Sequence, residues 1–126
     1  MPITMDINRD KKLTVIKVSG IVSFKDLRKS LLDYYKRGAT DLIIVDLREA
    51  EGSAETYSHD KIFDLAEFVG ASQKGRGKGK TALVASKDLY FGICRTIEAI
   101  KSDSPIKYRT FRSMEAAVEW IEDAEA

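Results

Sequence analysis

The segment Lys74-Gly75-Arg76-Gly77-Lys78-Gly79-Lys80-Thr81 ends in Gly-Lys-Thr, the way a phosphate-binding loop closes. In such a loop backbone amides cradle the phosphates, the lysine reaches the terminal ones, and the hydroxyl binds magnesium. The pattern also requires a glycine five residues before Gly79, and the chain has Lys74 there. The context is reversed as well. A phosphate loop follows a strand and opens a helix, whereas here a helical pattern precedes the segment and the apolar run Thr81–Ala85 follows it. The segment therefore reads as a solvated connector. Its cations Lys74, Arg76, Lys78 and Lys80 have a second, weaker reading as a contact for anionic lipid or an acidic partner, at up to about 1 kcal/mol per charge near a membrane surface.

Asp46, Arg48 and Glu49 follow an apolar run, and the carboxyl end of a parallel strand is where α/β folds place chemistry. No second catalytic group is identifiable beside them, so the favoured reading is an ion pair or hydrogen bonds that tie down the following loop. His59, next to Asp60, lacks the oriented partner that a general base needs, and is expected on the surface. Cys94 lies on the edge of an apolar helical stripe and reads as packing, because a reactive thiol needs exposure and a lowered pKa. One histidine and one cysteine exclude a disulfide within the chain, cysteine-rich zinc sites and every chemistry that uses paired histidines. No metal site and no cofactor is expected. Trp120, Tyr34 and Tyr57 are candidate interface aromatics, with a partly buried core position an equal alternative for Trp120.

The chain that must position these groups has 126 residues, enough for one domain spanning 1–126 with a core of its own. Lys plus Arg is 21 and Asp plus Glu is 20, a balance that argues against a dedicated nucleic-acid binder. The N-terminus shows no signal peptide, and apolar runs reach only four residues, as in Leu42–Val45, far short of the ~20 that span a bilayer. No integral membrane segment is expected, and the expected location is the cytoplasm.

Alternation of apolar and polar residues predicts a strand over Ile3–Asn8 and another over Leu13–Val18, joined as a hairpin and ended by Gly20. Ser23 caps a helix whose buried stripe is Phe24, Leu27, Leu31, Leu32 and Tyr35, and Gly38 stops it. Leu42–Val45, apolar on both faces, predicts a central parallel strand, followed by a loop from Arg48 to Tyr57. Ser58 caps a second helix with Ile62, Leu65, Ala66 and Val69 inward. After the strand Thr81–Ala85, Ser86 or Asp88 caps a third helix carrying Leu89, Ile93, Ile97 and Ile100 inward. Ile106–Phe111 is the last strand. Ser113 caps a final helix with Ala117, Val118 and Ile121 on one face. The order β-β-α-β-α-β-α-β-α predicts an α/β domain. Its five-stranded sheet is mostly parallel, with an antiparallel N-terminal edge strand and four helices.

That order resembles the SpoIIAA-like superfamily, the STAS fold, and looks closest to the bacterial STAS-like proteins grouped with lipid-binding CRAL-TRIO domains. The resemblance rests on the hairpin ending Val18-Ser19-Gly20, the strand Leu42-Ile43-Ile44-Val45-Asp46-Leu47-Arg48, the segment Asp88-Leu89-Tyr90-Phe91-Gly92-Ile93-Cys94-Arg95, and Phe111-Arg112-Ser113 leading into Ala116–Ile121. It covers nearly the whole chain. STAS antagonists carry a phosphorylatable serine in an Asp-Ser-Ser-Gly-like stretch after the third strand. This chain has Asp46-Leu47-Arg48-Glu49-Ala50-Glu51-Gly52-Ser53 instead. Ser53 and Ser58 are the nearest hydroxyls, and Glu49, Glu51, Glu55 and Asp60 would repel a phosphoryl group there. The resemblance implies a non-enzymatic cytoplasmic module, regulatory in kind, that acts through a protein partner or a homodimer. The alternative is a binder of lipid or another apolar small molecule, an anionic amphiphile included, in a crevice at the carboxyl ends of the strands. Arg48, Tyr90, Phe91 and Arg112 are then the ligand-binding residues, with the Arg48–Tyr57 loop as lid.

Overall fold

The computed structural model describes residues 3–52, 58–71 and 79–124, the side chains of 59, 65 and 68–71 excepted. The elements run β1 (Ile3–Asn8), β2 (Leu13–Ile21), α1 (Phe24–Arg37), β3 (Leu42–Glu51), α2 (His59–Ala71), β4 (Lys80–Val84), α3 (Asp88–Ile100), β5 (Lys107–Phe111) and α4 (Met114–Glu122). The five strands form one sheet in sequence order, β1 to β5. β1 pairs antiparallel with β2, and every other pair is parallel, as the alternation of elements predicts. The expected α/β architecture is therefore observed.

Strand residues alternate between two faces. On one face Thr14, Ile43, Thr81 and Tyr108 stand in register, followed by Ile16, Val45, Leu83 and Thr110. Helices α1, α2 and α3 lie on this side, where Val18, Leu83, Tyr90 and Cys94 pack with Leu27, Ile93 and Ile97. The opposite face carries Ile44, Ala82 and Val84, covered by Ala117 and Ile121 of α4. Among the described elements, α4 alone is seen to cover that side, and it reaches β3, β4 and β5.

Several local features differ from the sequence-based expectation. β2 does not end at Gly20. A bulge between Lys17 and Ser19 lets it continue to Ile21, with Gly20 at φ 68° where a side chain would be strained. β3 runs on accordingly to Glu51, pairing Ser19, Gly20 and Ile21 with Glu49, Ala50 and Glu51. The expected loop from Arg48 is thus strand through Glu51, and residues 53–57 lie outside the described residues. In α1, Leu32 is exposed while Tyr34 is fully buried, so Tyr34 is core and not an interface aromatic. Its hydroxyl accepts from the Thr40 amide at 2.7 Å and bonds the Thr40 hydroxyl at 3.1 Å, which in turn lies 2.8 Å from that of Thr14. A polar tether of this kind rotates the helix away from the face that hydropathy alone favours. Lys87, without a side-chain cap, precedes α3 where Ser86 or Asp88 was expected.

Helix ends are closed from afar. Arg9, in the hairpin turn, donates to the carbonyls of Gly38 at 2.9 Å and Arg37 at 2.7 Å, satisfying the end of α1. Lys80 does the same for α4. It is buried, and its ammonium donates to the carbonyls of Trp120, at 2.9 Å, and Asp123. The lysine that closes the glycine-rich connector is therefore a structural cap, and is not available to an anionic surface. Lys74, Arg76 and Lys78 lie outside the described residues.

Candidate functional site

Three of the four predicted ligand-binding residues fall into two clusters at the carboxyl ends of the strands, and Tyr90 lies apart from both. Asp46 is almost wholly buried, and Arg48 binds it with two side-chain bonds, Nε to Oδ1 and Nη2 to Oδ2, each 2.9 Å. The Arg48 amide adds a third at 3.1 Å. Burial pushes the Asp46 carboxyl up, but the Arg48 hydrogen bonds and charge, helped by Lys17, outweigh it and hold the group below its usual value. The hydrogen bond to Asp46 raises Arg48 correspondingly. Lys17 pairs with Glu49 at 3.0 Å, and Ser19 donates to the same carboxylate at 3.3 Å. The arrangement is the ion pair that the i, i+2 spacing in β3 suggests, and Arg48 is committed to it.

The second cluster brings Phe91 and Arg112 together. The Arg112 guanidinium lies 3.8 Å from the centre of the Phe91 ring, stacked on its face, and donates to the Ser86 carbonyl at 3.0 Å and to Asp88 at 2.9 Å. Arg112 thus fastens the start of α3 to the loop after β5. Tyr90 points elsewhere, into the core beside Cys94. The sequence reading grouped Arg48, Tyr90, Phe91 and Arg112, and the fold distributes them over three places.

Ser58 accepts from the Lys61 amide at 3.4 Å and so caps α2 as expected, while Ser53 lies outside the described residues. His59 begins α2, and its side chain, like Tyr57, is outside the described set. Cys94 is fully buried, and burial first, then Glu98, pushes its thiol up to about 12, so it is not a nucleophile at neutral pH. Trp120 packs against Phe111 with ring centres 5.6 Å apart and under the Lys80 ammonium at 5.2 Å. Among the described residues no three His, Cys, Asp or Glu side chains cluster as metal ligands. No helix among them is long and apolar enough to cross a membrane.

A feature that sequence reasoning missed lies between the sheet and helices α1, α2 and α3. There the packing leaves a cavity of about 130 Å³. Its walls come from Ile16 and Val18 of β2, Leu31 of α1, Ile62 of α2, Leu83 of β4 and Ile97 of α3. No described lining residue is charged. Tyr90 and Cys94 line it too, whereas Arg48, Phe91 and Arg112 do not. Thr81, on β4, stands in its wall, 5% exposed, with a buried hydroxyl that has no hydrogen-bond partner among the described residues. The signal in the sequence was faint: one hydroxyl inside a strand otherwise built for burial.

No protein-family model matches this chain, and no curated protein matches it. In three dimensions it is similar to the crystal structure of an uncharacterized protein of the DUF3478 family from Shewanella loihica PV-4, described as having a SpoIIAA-like fold. The TM-score is 0.57 at 18% identity, over 94% of this chain and 91% of that one. The likeness covers nearly the whole chain, which has the SpoIIAA-like fold.

Proposed function

We propose that this domain is a non-catalytic binding module whose ligand is a small apolar molecule held between the sheet and α1, α2 and α3. The single observation that carries the reading is the uncharged cavity of about 130 Å³. Interiors are normally packed to crystal density, so a void of this size forfeits contacts that a ligand would restore. Its volume approaches that of an engineered cavity of ~150 Å³ that stays dry and binds benzene. The ligand is therefore compact. Arg48 and Arg112, each held by a carboxylate, supply no charge to this space, which favours a neutral ligand over a fatty acid. Ligand-observed NMR with benzene and with octanoate tests the reading. Saturation transfer to benzene, abolished by Ala66→Leu in the cavity wall, is expected. Absence of transfer to benzene in the unmodified protein refutes it.

A second reading, pairing with a protein partner or a second copy, is favoured by Ile21, a large apolar side chain 71% exposed at the end of β2. Light scattering on the unmodified protein and on Ile21→Ser checks it. A dimer lost in the variant supports this reading, and a monomer in both removes self-association.

A further inference from the structure

We infer that β1 is a docking edge for a second copy of this chain, the two β1 strands pairing antiparallel about a two-fold axis through Met5. This rests on the reading that the chain pairs with itself, and is independent of the cavity. β1 ends the sheet, so one side of its backbone has no partner among the described strands. The hairpin fixes which side. The Lys12 carbonyl accepts from the Leu42 amide at 3.0 Å, so even-numbered residues of β2 turn their backbone groups toward β3 and odd-numbered ones toward β1. Their partners Thr4, Asp6 and Asn8 therefore bond β2, and Ile3, Met5 and Ile7 point N–H and C=O away from the sheet. With Met5 on the axis all three outward residues pair, Met5 with Met5 and Ile3 with Ile7, through about six hydrogen bonds. The side chains suit this register. Ile3, Met5 and Ile7 are half-buried on the side of α1, where Ile3 and Met5 share a cluster with Leu31 and Tyr35. Across the axis they meet apolar side chains. On the other face exposed Asp6 stands opposite exposed Thr4, whereas an axis at Asp6 would set two carboxylates face to face.

α1 adds to the same edge. Ser30 borders the cavity with Ile62 and Ala66 of α2, and Leu32, about 200° further round α1, lies on the flank away from α2 with 46% of its surface exposed. The far edge of the sheet is closed to such pairing. The Lys107 amide bonds the Gly79 carbonyl, so Thr110 faces outward, and Glu98 takes its amide at 2.8 Å. Exposed Lys107 and Arg109 flank that site, and charges of this kind guard an edge. One guarded and one open edge favour a closed pair of β1 strands over a filament of β1 on β5.

The test is sedimentation equilibrium, from micromolar to millimolar protein, on the unmodified chain, on Thr4→Asp, and on Thr4→Asp combined with Asp6→Lys. The unmodified chain is expected to dimerise. Thr4→Asp sets a carboxylate opposite Asp6 of the second copy, twice over by symmetry, and is expected to weaken the dimer several-fold to about thirtyfold. Within its own chain position 4 pairs with Lys17, so the substitution does not strain the fold. The combined variant turns the same contact into opposite charges and is expected to restore the dimer, which a fault in folding would not allow. A dimer that Thr4→Asp leaves unchanged, or that the combined variant fails to restore, overturns the β1 assignment while leaving self-association standing; loss of that dimer in Ile21→Ser then places the contact at Ile21. A monomer at every concentration of the unmodified chain overturns self-association itself, and this inference with it.

Discussion

Replacing Lys80 with methionine keeps an aliphatic stem beside Trp120 and removes only the ammonium. In the folded protein that ammonium donates to the Trp120 and Asp123 carbonyls at the end of α4, the Trp120 carbonyl also accepting from the Asp123 amide at 3.3 Å. A hydrogen bond from a charged donor contributes about 1.5–3 kcal/mol, and a cation at a helix C-terminus about 0.3–1 kcal/mol more. Water can reach Asp123, which is exposed, so the second carbonyl is partly compensated after the substitution. The variant also no longer bears the cost of desolvating a buried ammonium. The net expectation is a loss of about 2 kcal/mol, close to one charged bond. For a chain of this size that is a fall in melting temperature of roughly 5–10 °C. Urea unfolding followed by Trp120 fluorescence measures it, and hydrogen exchange localises it, since the amides of α4 should lose protection first. An unchanged urea midpoint, or exchange that rises uniformly over all elements, would refute the role of Lys80 as the clasp of α4.

Three further outcomes follow from the packing. Ile44→Ala, 2% exposed beneath α4, should cost about 2–5 kcal/mol through lost contacts and a cavity, read as a shift in urea midpoint. Tyr34→Phe should cost about 1–3 kcal/mol by leaving the buried Thr40 amide without its acceptor, read as a shift in urea midpoint. Asp46 titrates below its ordinary value of 3.8 in the folded protein, so its contribution to stability is complete above that value and disappears as pH falls through the lower folded-state value. Asp46→Asn should therefore be less stable than the unmodified protein at about pH 6 and approach it at about pH 2; an unvarying gap between the two denaturation curves contradicts the assignment.

The fold was legible because its signals are local and repeated. Apolar alternation marked β1 and β2, continuous apolar runs marked β3 and β4, and Ser23 and Ser113 capped α1 and α4 as read, accepting from Asp26 and Ala116. Of the apolar residues in the predicted strands and helix faces, Ile44 and Leu83 are buried, while Leu42, Ile97 and Val118 are only half-buried. What escaped depended on partners distant in sequence. Arg48–Glu51 is polar and reads as loop, yet becomes strand because the bulge in β2 supplies a new pairing register. Tyr34 is buried for its hydroxyl, which a hydropathy stripe cannot encode. Lys80 looks like part of a basic connector until α4, forty residues later, places two carbonyls over it. The cavity is further from reach, since its walls come from strands and helices that meet only when the layers close.

The placement of α4 has a consequence for how the chain must be made. β1 to β5 join the sheet in the order of synthesis, each beside the strand before it, so a nascent chain can extend the sheet as it emerges. Helices α1 to α3 arrive between strands and clothe one side as they go. Ile44, Ala82 and Val84 on the other side wait for residues 114–122. At ribosomal speeds of ~5–20 residues per second, the interval between the end of β3 and the end of α4 is roughly 4–14 s. During that time the growing domain presents a bare hydrophobic surface, so a ribosome stalled before residue 114 would hold a sheet that is adhesive on one side, a substrate for chaperones rather than a folded domain.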